Sequence, residues 1–340
     1  MSFSSWLGRS LMIFIPLAAV GALRADDRVE VEQWLDRMAQ AVETLDYRGT
    51  LVHWHGDQFD ALKIIHRSDE SGVRERLFSL SGSPREIIRD GDLVRSLRAG
   101  ERQVLVQSQL SARLLPHLPL RRLKLASEAY VMRVGNQERV AGHQTRIIEI
   151  LPRDAFRYGY RFWLEPQTGM LLRFALLDHE AMVIQQLTFV EIELGARITD
   201  DELEAQLEST ATVESRLSQN TPTFENLTAF DSDSSMPDGW DSLRVPVHFQ
   251  LARQGQGESA SGADFNHLLY SDGLASFSVY IENDSSGQMS SRLETLGSVN
   301  LYTGTYDDHQ VTIVGEVPLA TVRFVGQWLQ TEGSESGRSR

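Results

Sequence analysis

Tyr47-Arg-Gly-Thr-Leu-Val-His-Trp-His, residues 47–55, is the stretch on which the reading of this chain turns. Branched, aromatic and small side chains alternate here with polar ones at a period of two, so successive residues point to opposite faces of a strand. Gly56-Asp57 closes the stretch as a turn, and the rhythm then repeats at roughly the 8–12-residue spacing of an all-β chain. Strands are expected at 47–55, 59–67, 73–80, 84–90, 92–98 and 102–107, and again at 130–134, 144–151, 157–165, 169–178 and 182–194. Pro166-Gln167-Thr168-Gly169 is a turn between two of them.

Upstream of this region the period changes. Val31, Trp34, Leu35, Met38, Val42 and Leu45 follow the i, i+3, i+4, i+7 pattern and predict one helix over 29–45. An antiparallel sheet preceded by a single helix must bury one face. The simplest solution is a strongly curved sheet, a half-open barrel wrapped around that helix. No strand–helix–strand alternation is present, which argues against a doubly wound fold. Leu110 to Leu125, rich in leucine but broken by Pro116 and Pro119, reads as helical turns connecting strands. Thr199 and Glu202 form a capping box that starts a short helix through about Glu208.

The ends and the middle divide the chain. Arg9, the apolar run Leu11 to Leu23 and the small residues Gly21, Ala22 and Ala25 predict a signal peptide over 1–25. The large domain then covers 26–208, and a polar linker rich in Ser, Thr, Asn and Asp covers 209–235. A smaller α+β domain is expected over 236–330, with strands at 244–251, 266–271, 274–282, 297–303 and 309–315. A final helix opens at Pro318 with the stripe Leu319, Val322, Val325 and Leu329. Residues 331–340 read as a disordered tail.

There is no cysteine, so neither disulfides nor thiol chemistry contribute, and a bacterial periplasm is the compartment that fits an exported chain of this kind. The net charge of −14 is unevenly spread: residues 85–173 hold 16 basic against 9 acidic side chains, and residues 208–340 hold 7 against 18. A basic belt can meet phosphate-bearing or acidic partners, and solvated strand faces would look the same. An acidic exported protein is a poor fit to nucleic acid.

The search for catalysis is negative: no nucleophile elbow, zinc-protease helix, phosphate loop or dinucleotide fingerprint is present. His53 and His55, with His66 on the next strand, have a spacing that could bind zinc, but no acidic ligand sits at diagnostic spacing. No metal, cofactor or catalytic residue is assigned. Asp307-Asp308-His309 falls between two expected strands and reads as a hairpin loop. What remains is an apolar surplus. Trp54, Phe59, Phe78, Leu114, Leu115 and Trp163 either fill the core or line a cavity for acyl chains. Arg85, Arg89, Arg95, Arg121, Arg122 and Lys124 would then meet lipid headgroups at its rim.

Several strings, in order along the chain, resemble the RseB/MucB family of periplasmic regulators. Tyr47-Arg-Gly-Thr, His55-Gly56, His66-Arg67, Glu75-Arg76-Leu77 and Gly82 to Arg89 are similar to its first strands. Pro152-Arg-Asp, Arg157-Tyr-Gly-Tyr-Arg-Phe-Trp-Leu and Thr168-Gly-Met-Leu-Leu-Arg continue the likeness. Tyr270-Ser-Asp-Gly-Leu, Phe277-Ser-Val and Val311-Thr-Ile-Val-Gly-Glu-Val-Pro carry it into the second domain.

The resemblance implies a half-open β-barrel related to periplasmic lipoprotein carriers, joined to a smaller domain. It implies a protein, not an enzyme, that binds the periplasmic part of an RseA/MucA-type anti-sigma factor and shields it from the first protease of envelope-stress signalling. Lipid or lipopolysaccharide would release that grip, and in the alginate-producing branch exopolysaccharide output would follow. Within that frame Tyr270, Asp272 and Phe277 are the expected partner contacts, beside the turn Asp272-Gly273. A homodimer is left open. A lipid or lipoprotein carrier is the other class that an open barrel fits. The acidic linker and the polar stretch Gln254 to Ala263 depart from the family pattern.

Overall fold

The structure is a computed structural model that describes residues 25–91, 93–98, 105–108, 128–207, 240, 243–258, 264–283, 291–306 and 309–336. The linker 209–235, nearly all of the expected signal peptide, and Leu114, Leu115, Arg121, Arg122 and Lys124 lie outside the described residues.

The first helix, α1 (Ala25–Thr44), starts a turn earlier than its apolar stripe predicts. Val31, Leu35, Met38 and Ala41 are buried along one side, and each large side chain removed from water contributes about 1.5–3 kcal/mol. Eleven strands follow: β1 (Tyr47–His55), β2 (Gln58–Asp69), β3 (Gly72–Ser79), β4 (Arg85–Asp90), β5 (Leu93–Arg98), β6 (Leu105–Ser108), β7 (Tyr130–Val140), β8 (His143–Pro152), β9 (Gly159–Leu164), β10 (Leu171–Leu177) and β11 (Val183–Leu194). They form one antiparallel sheet in the order β6-β5-β4-β3-β2-β1-β11-β10-β9-β8-β7. β6 and β7 are its two edges and do not pair with each other, so the sheet is not closed into a barrel.

Register decides which side chains face the helix. β1 sets Tyr47 opposite His66, Gly49 opposite Ile64 and Leu51 opposite Leu62, all on one face. The same parity, carried across the sheet, adds Leu77, Phe189, Leu187, Phe174, Phe162, Ile148, Ile150 and Met132. These residues share one core with Val31, Leu35 and Met38 of α1, and this is the inner face. Gly49 is required there: a Cβ at this position would lie 2.5 Å from the Glu191 carbonyl and 2.9 Å from the Phe189 ring.

The outer face of β2–β4 is covered by the chain that leaves β11. Ile65, Ala196, Ile198 and Leu203 form a small core with Phe78 packed against it. The capping box at Thr199 is present, but α2 (Asp200–Leu203) is a single turn and does not reach Glu208. Glu204 is already extended, and the backbone N–H groups of Gln206 and Leu207 donate to the Glu86 carboxylate at 3.0 and 2.9 Å. That carboxylate also holds Arg76 in a buried ion pair, and the stronger acceptor draws the backbone out of the helix.

The second domain is a six-stranded antiparallel sheet covered by one helix. Its strands are β12 (Gln250–Glu258), β13 (Asp264–Ser271), β14 (Ser276–Asn283), β15 (Arg292–Leu296), β16 (Val299–Tyr306) and β17 (His309–Gly315), in the order β12-β13-β14-β17-β16-β15. α3 (Leu319–Ser336) lays Val322, Val325 and Leu329 on Phe277, Val279, Ile281, Val311 and Ile313. It runs past Thr331 to Ser336, beyond the helix end that the polar composition predicts.

Two expectations shift. The strand expected at 244–251 forms at Gln250–Glu258, because β12 is an edge strand whose polar residues need only one partner, β13. β15 is likewise an edge strand, mostly exposed and without alternation, which is why its sequence does not announce it.

Candidate functional site

Two features of the large domain could serve function: the inner face of the open sheet, and the junction that closes one end of it.

On the inner face Tyr47 is fully buried, stacked on His66 with ring centroids 4.7 Å apart and edge-on to Phe189. Burial, then the nearby Glu75 charge, pushes its hydroxyl well above the ordinary range, while Arg89 works the other way. His66 donates Nδ1–H to the Leu45 carbonyl at 2.9 Å, which ties the end of α1 to the sheet. Arg85 is exposed and Arg89 half-buried, and β4 register places both on this inner parity with Ile87. Arg89 also donates Nε–H to the Gly91 carbonyl at 3.1 Å.

The expected cavity aromatics are placed differently. Trp54 and Phe59 are cross-strand partners with centroids 6.4 Å apart, but their parity is opposite to that of Leu51, and Phe59 is 66% exposed. Phe78 lies on the outer face among Ile65, Ile198 and Leu203. Trp163 is buried, but it shares its face with Arg161 and Arg173, not with Phe162. The guanidinium groups of Arg173 and Arg161 sit 5.0 and 5.8 Å from its ring, and its indole N–H donates to Glu138 at 2.7 Å. None of these four lines the inner face. Phe78 is held by outer-face packing and Trp163 by arginine stacking, while Phe59 stays largely exposed.

The junction is built by the connection between β8 and β9. Arg157 has no exposed surface; its Nε donates to Asp272 Oδ2 at 2.5 Å, and its other nitrogens donate to Asp154 and to the Val247 carbonyl. The guanidinium lies 4.5 Å from the Phe249 ring centroid. Asp272 is equally buried and accepts the Tyr130 hydroxyl at 3.1 Å, while its other oxygen accepts the N–H groups of Leu274 and Ala275. Asn300 donates to Tyr158 Oη at 3.1 Å, Thr321 donates to the Phe156 carbonyl at 2.7 Å, and Phe156 packs edge-on against Phe324. Leu274 completes the contact by packing on the core of the large sheet. Burial raises the Tyr130 and Tyr160 hydroxyls well above their ordinary range and Tyr158 to about 12, so all three stay neutral, and Tyr130 keeps the proton that it donates to Asp272.

The three residues expected to meet a partner are therefore interior. Phe277 has no exposed surface, Tyr270 stacks on it at 5.4 Å, and Asp272 is committed to the junction. Their side chains offer no free surface in this arrangement. Arg157, Tyr130 and Tyr158 are the residues that sequence reading missed as a group. The signal was available in part, because Arg157-Tyr-Gly-Tyr and Tyr270-Ser-Asp-Gly-Leu were both read as family strings, but not that they touch.

His53, His55 and Asp60 also come together on the inner face, with ligand atoms within 4.8 Å of one another. His66 is not among them, since its ring is stacked on Tyr47. Among the described residues no helix is long and apolar enough to cross a membrane.

An open antiparallel sheet wrapped on a helix, with a second domain latched to one end, defines a two-domain protein built around buried contacts between its domains. The MucB/RseB N-terminal domain matches residues 30–207 and the MucB/RseB C-terminal domain matches residues 234–330, so the chain belongs to the MucB/RseB family. It is 28% identical over 334 residues to the sigma factor AlgU regulatory protein MucB of Pseudomonas aeruginosa, covering 96% of this chain and 99% of that one. To the sigma-E factor regulatory protein RseB of Haemophilus influenzae it is 25% identical over 309 residues, covering 91% and 93%. The solved structure of MucB in complex with MucA(peri) aligns with a TM-score of 0.62 at 29% identity, over 87% of this chain and 96% of that chain.

Proposed function

We propose that this protein is a periplasmic regulator that binds the periplasmic part of a membrane anti-sigma factor, shields it from proteolysis and so restrains an envelope-stress sigma factor. The observation that carries the reading is the full-length likeness to MucB, whose solved complex holds MucA(peri). The test is a pull-down from native membranes with the full chain as bait. Retention of one single-span anti-sigma factor supports the reading, whereas retention of many lipoproteins supports a carrier. The carrier reading rests on the unclosed sheet around α1 and is the second choice, because a carrier has no evident need for the latched second domain.

The release signal in this proposal is an amphiphile, a lipid or lipopolysaccharide, held on the inner face with Arg85 and Arg89 toward its phosphates. Asp272 and Leu274 close one end of that face, so a ligand there would bear on the domain junction. Coupling of about 1–3 kcal/mol, or roughly 5–150-fold in partner affinity, is the usual range for such linkage. Titrating partner affinity against amphiphile below its micelle concentration separates coupling, which reaches a plateau, from competition, which does not. No change would remove the sensing step and leave the shield.

A further inference from the structure

We propose that His53, His55 and Asp60 form a site for one divalent transition cation of the zinc class, on the inner face beside the β1–β2 hairpin. His53 and His55 are two apart in β1, so their rings leave the same face, stacked with centroids 4.7 Å apart. The β1–β2 register sets Asp60 directly opposite His53, which delivers a carboxylate to the same face across the hairpin. The sequence spacing hides this ligand, because only the register of the hairpin brings it round. All three residues offer a ligand atom within 4.8 Å of the other two. Modest rotamer changes would close them on an ion at the ~2.0–2.2 Å bond lengths of zinc with imidazole and carboxylate.

Two further observations point to a ligand. Nδ1 of His55 is buried and without a hydrogen-bond partner in the structure, which is costly unless something binds there. The Gln185 side-chain amide meets His53 Nε2 at 2.9 Å; with that amide turned over, its oxygen accepts the Nε2–H and fixes the ring while the other ring nitrogen takes the ion. Asp60 is exposed, so an ion can enter from solvent. Two imidazoles and a carboxylate favour zinc, copper(II) or nickel over calcium and magnesium, which want all-oxygen shells.

The experiment is calorimetric titration of the full chain, free of affinity histidines, with zinc chloride and separately with calcium chloride. One equivalent of zinc with micromolar or tighter affinity is expected, and no calcium. His53→Ala combined with His55→Ala should weaken zinc by at least roughly 100-fold, and Asp60→Asn by roughly 10-fold, the scale of losing one metal contact. His179→Ala, in the turn after β10, should change nothing. Asp60 is solvent-exposed, so its variant tests the site even where the double variant misfolds, and circular dichroism checks both. X-ray absorption of the zinc form should show two imidazoles. Failure to bind zinc, full retention by the double variant, or equal binding of calcium would each overturn the site.

Discussion

Two buried arginine–carboxylate pairs do different jobs in this molecule. Arg76 and Glu86 lie on neighbouring strands ten residues apart, and the carboxylate also anchors Gln206 and Leu207. Arg157 and Asp272 lie 115 residues apart in different domains, and that carboxylate also collects Tyr130, Leu274 and Ala275. In both, one acidic group satisfies several donors, which is what makes a buried charge tolerable. The first pair pins a chain segment to its own sheet, while the second pins two folded units to each other. Only the second can report a change at one domain to the other.

The largest effect separating the pairs is expected from Asp272→Ala. It strands a fully buried guanidinium and should cost about 3–5 kcal/mol, seen as a single thermal transition splitting into two as the domains uncouple. Removing the local partner instead, with Glu86→Gln, keeps an acceptor for the two backbone N–H groups. That change should cost about 1.5–3 kcal/mol without splitting the transition, which chemical denaturation followed by tryptophan fluorescence can measure. If both variants split the transition, the distinction between the pairs is wrong.

Acidification tests a buried histidine of the small domain. His267 is buried against Tyr280, and burial, then the charge of Arg253, lowers its pKa from 6.5 to about 4. The unfolded chain takes up this proton first, so stability that is full above pH 6.5 is lost as pH falls toward 4, by up to about 3 kcal/mol. In melts at pH 7 and pH 4.5 the second domain should lose more, and His267→Gln should flatten that difference.

Tightness of the inner face is sharpened by Gly49→Ala, where the new Cβ meets backbone that cannot give way. The expected cost is about 1–3 kcal/mol by denaturation. The smallest change is Tyr130→Phe, which removes one donor from Asp272 while leaving its ion pair. It should cost about 1 kcal/mol and leave a single melting transition.

The sequence by itself determined the helix, the eleven strands and their turns, because a period of 3.6 or of two is a local property. It also determined the family, through ordered strings. Parity, too, was legible in principle: Trp54 and Leu51 are an odd number of residues apart on one strand and cannot share a face.

Which parity faces α1 was decided only by tertiary packing, since aromatic residues occur on both and arginines can bury a tryptophan as well as a helix can. The exposed edge strand β15 and the displaced β12 are products of pairing, with little hydrophobic signal to mark them. Asp272 read as a turn residue free to meet a partner, and it became the centre of the domain junction. A carboxylate looks the same in sequence whether it faces water or a guanidinium 115 residues away, because long-range contact leaves no local pattern. The same reason hid Asp60 from His53: hairpin register, not spacing, sets them side by side.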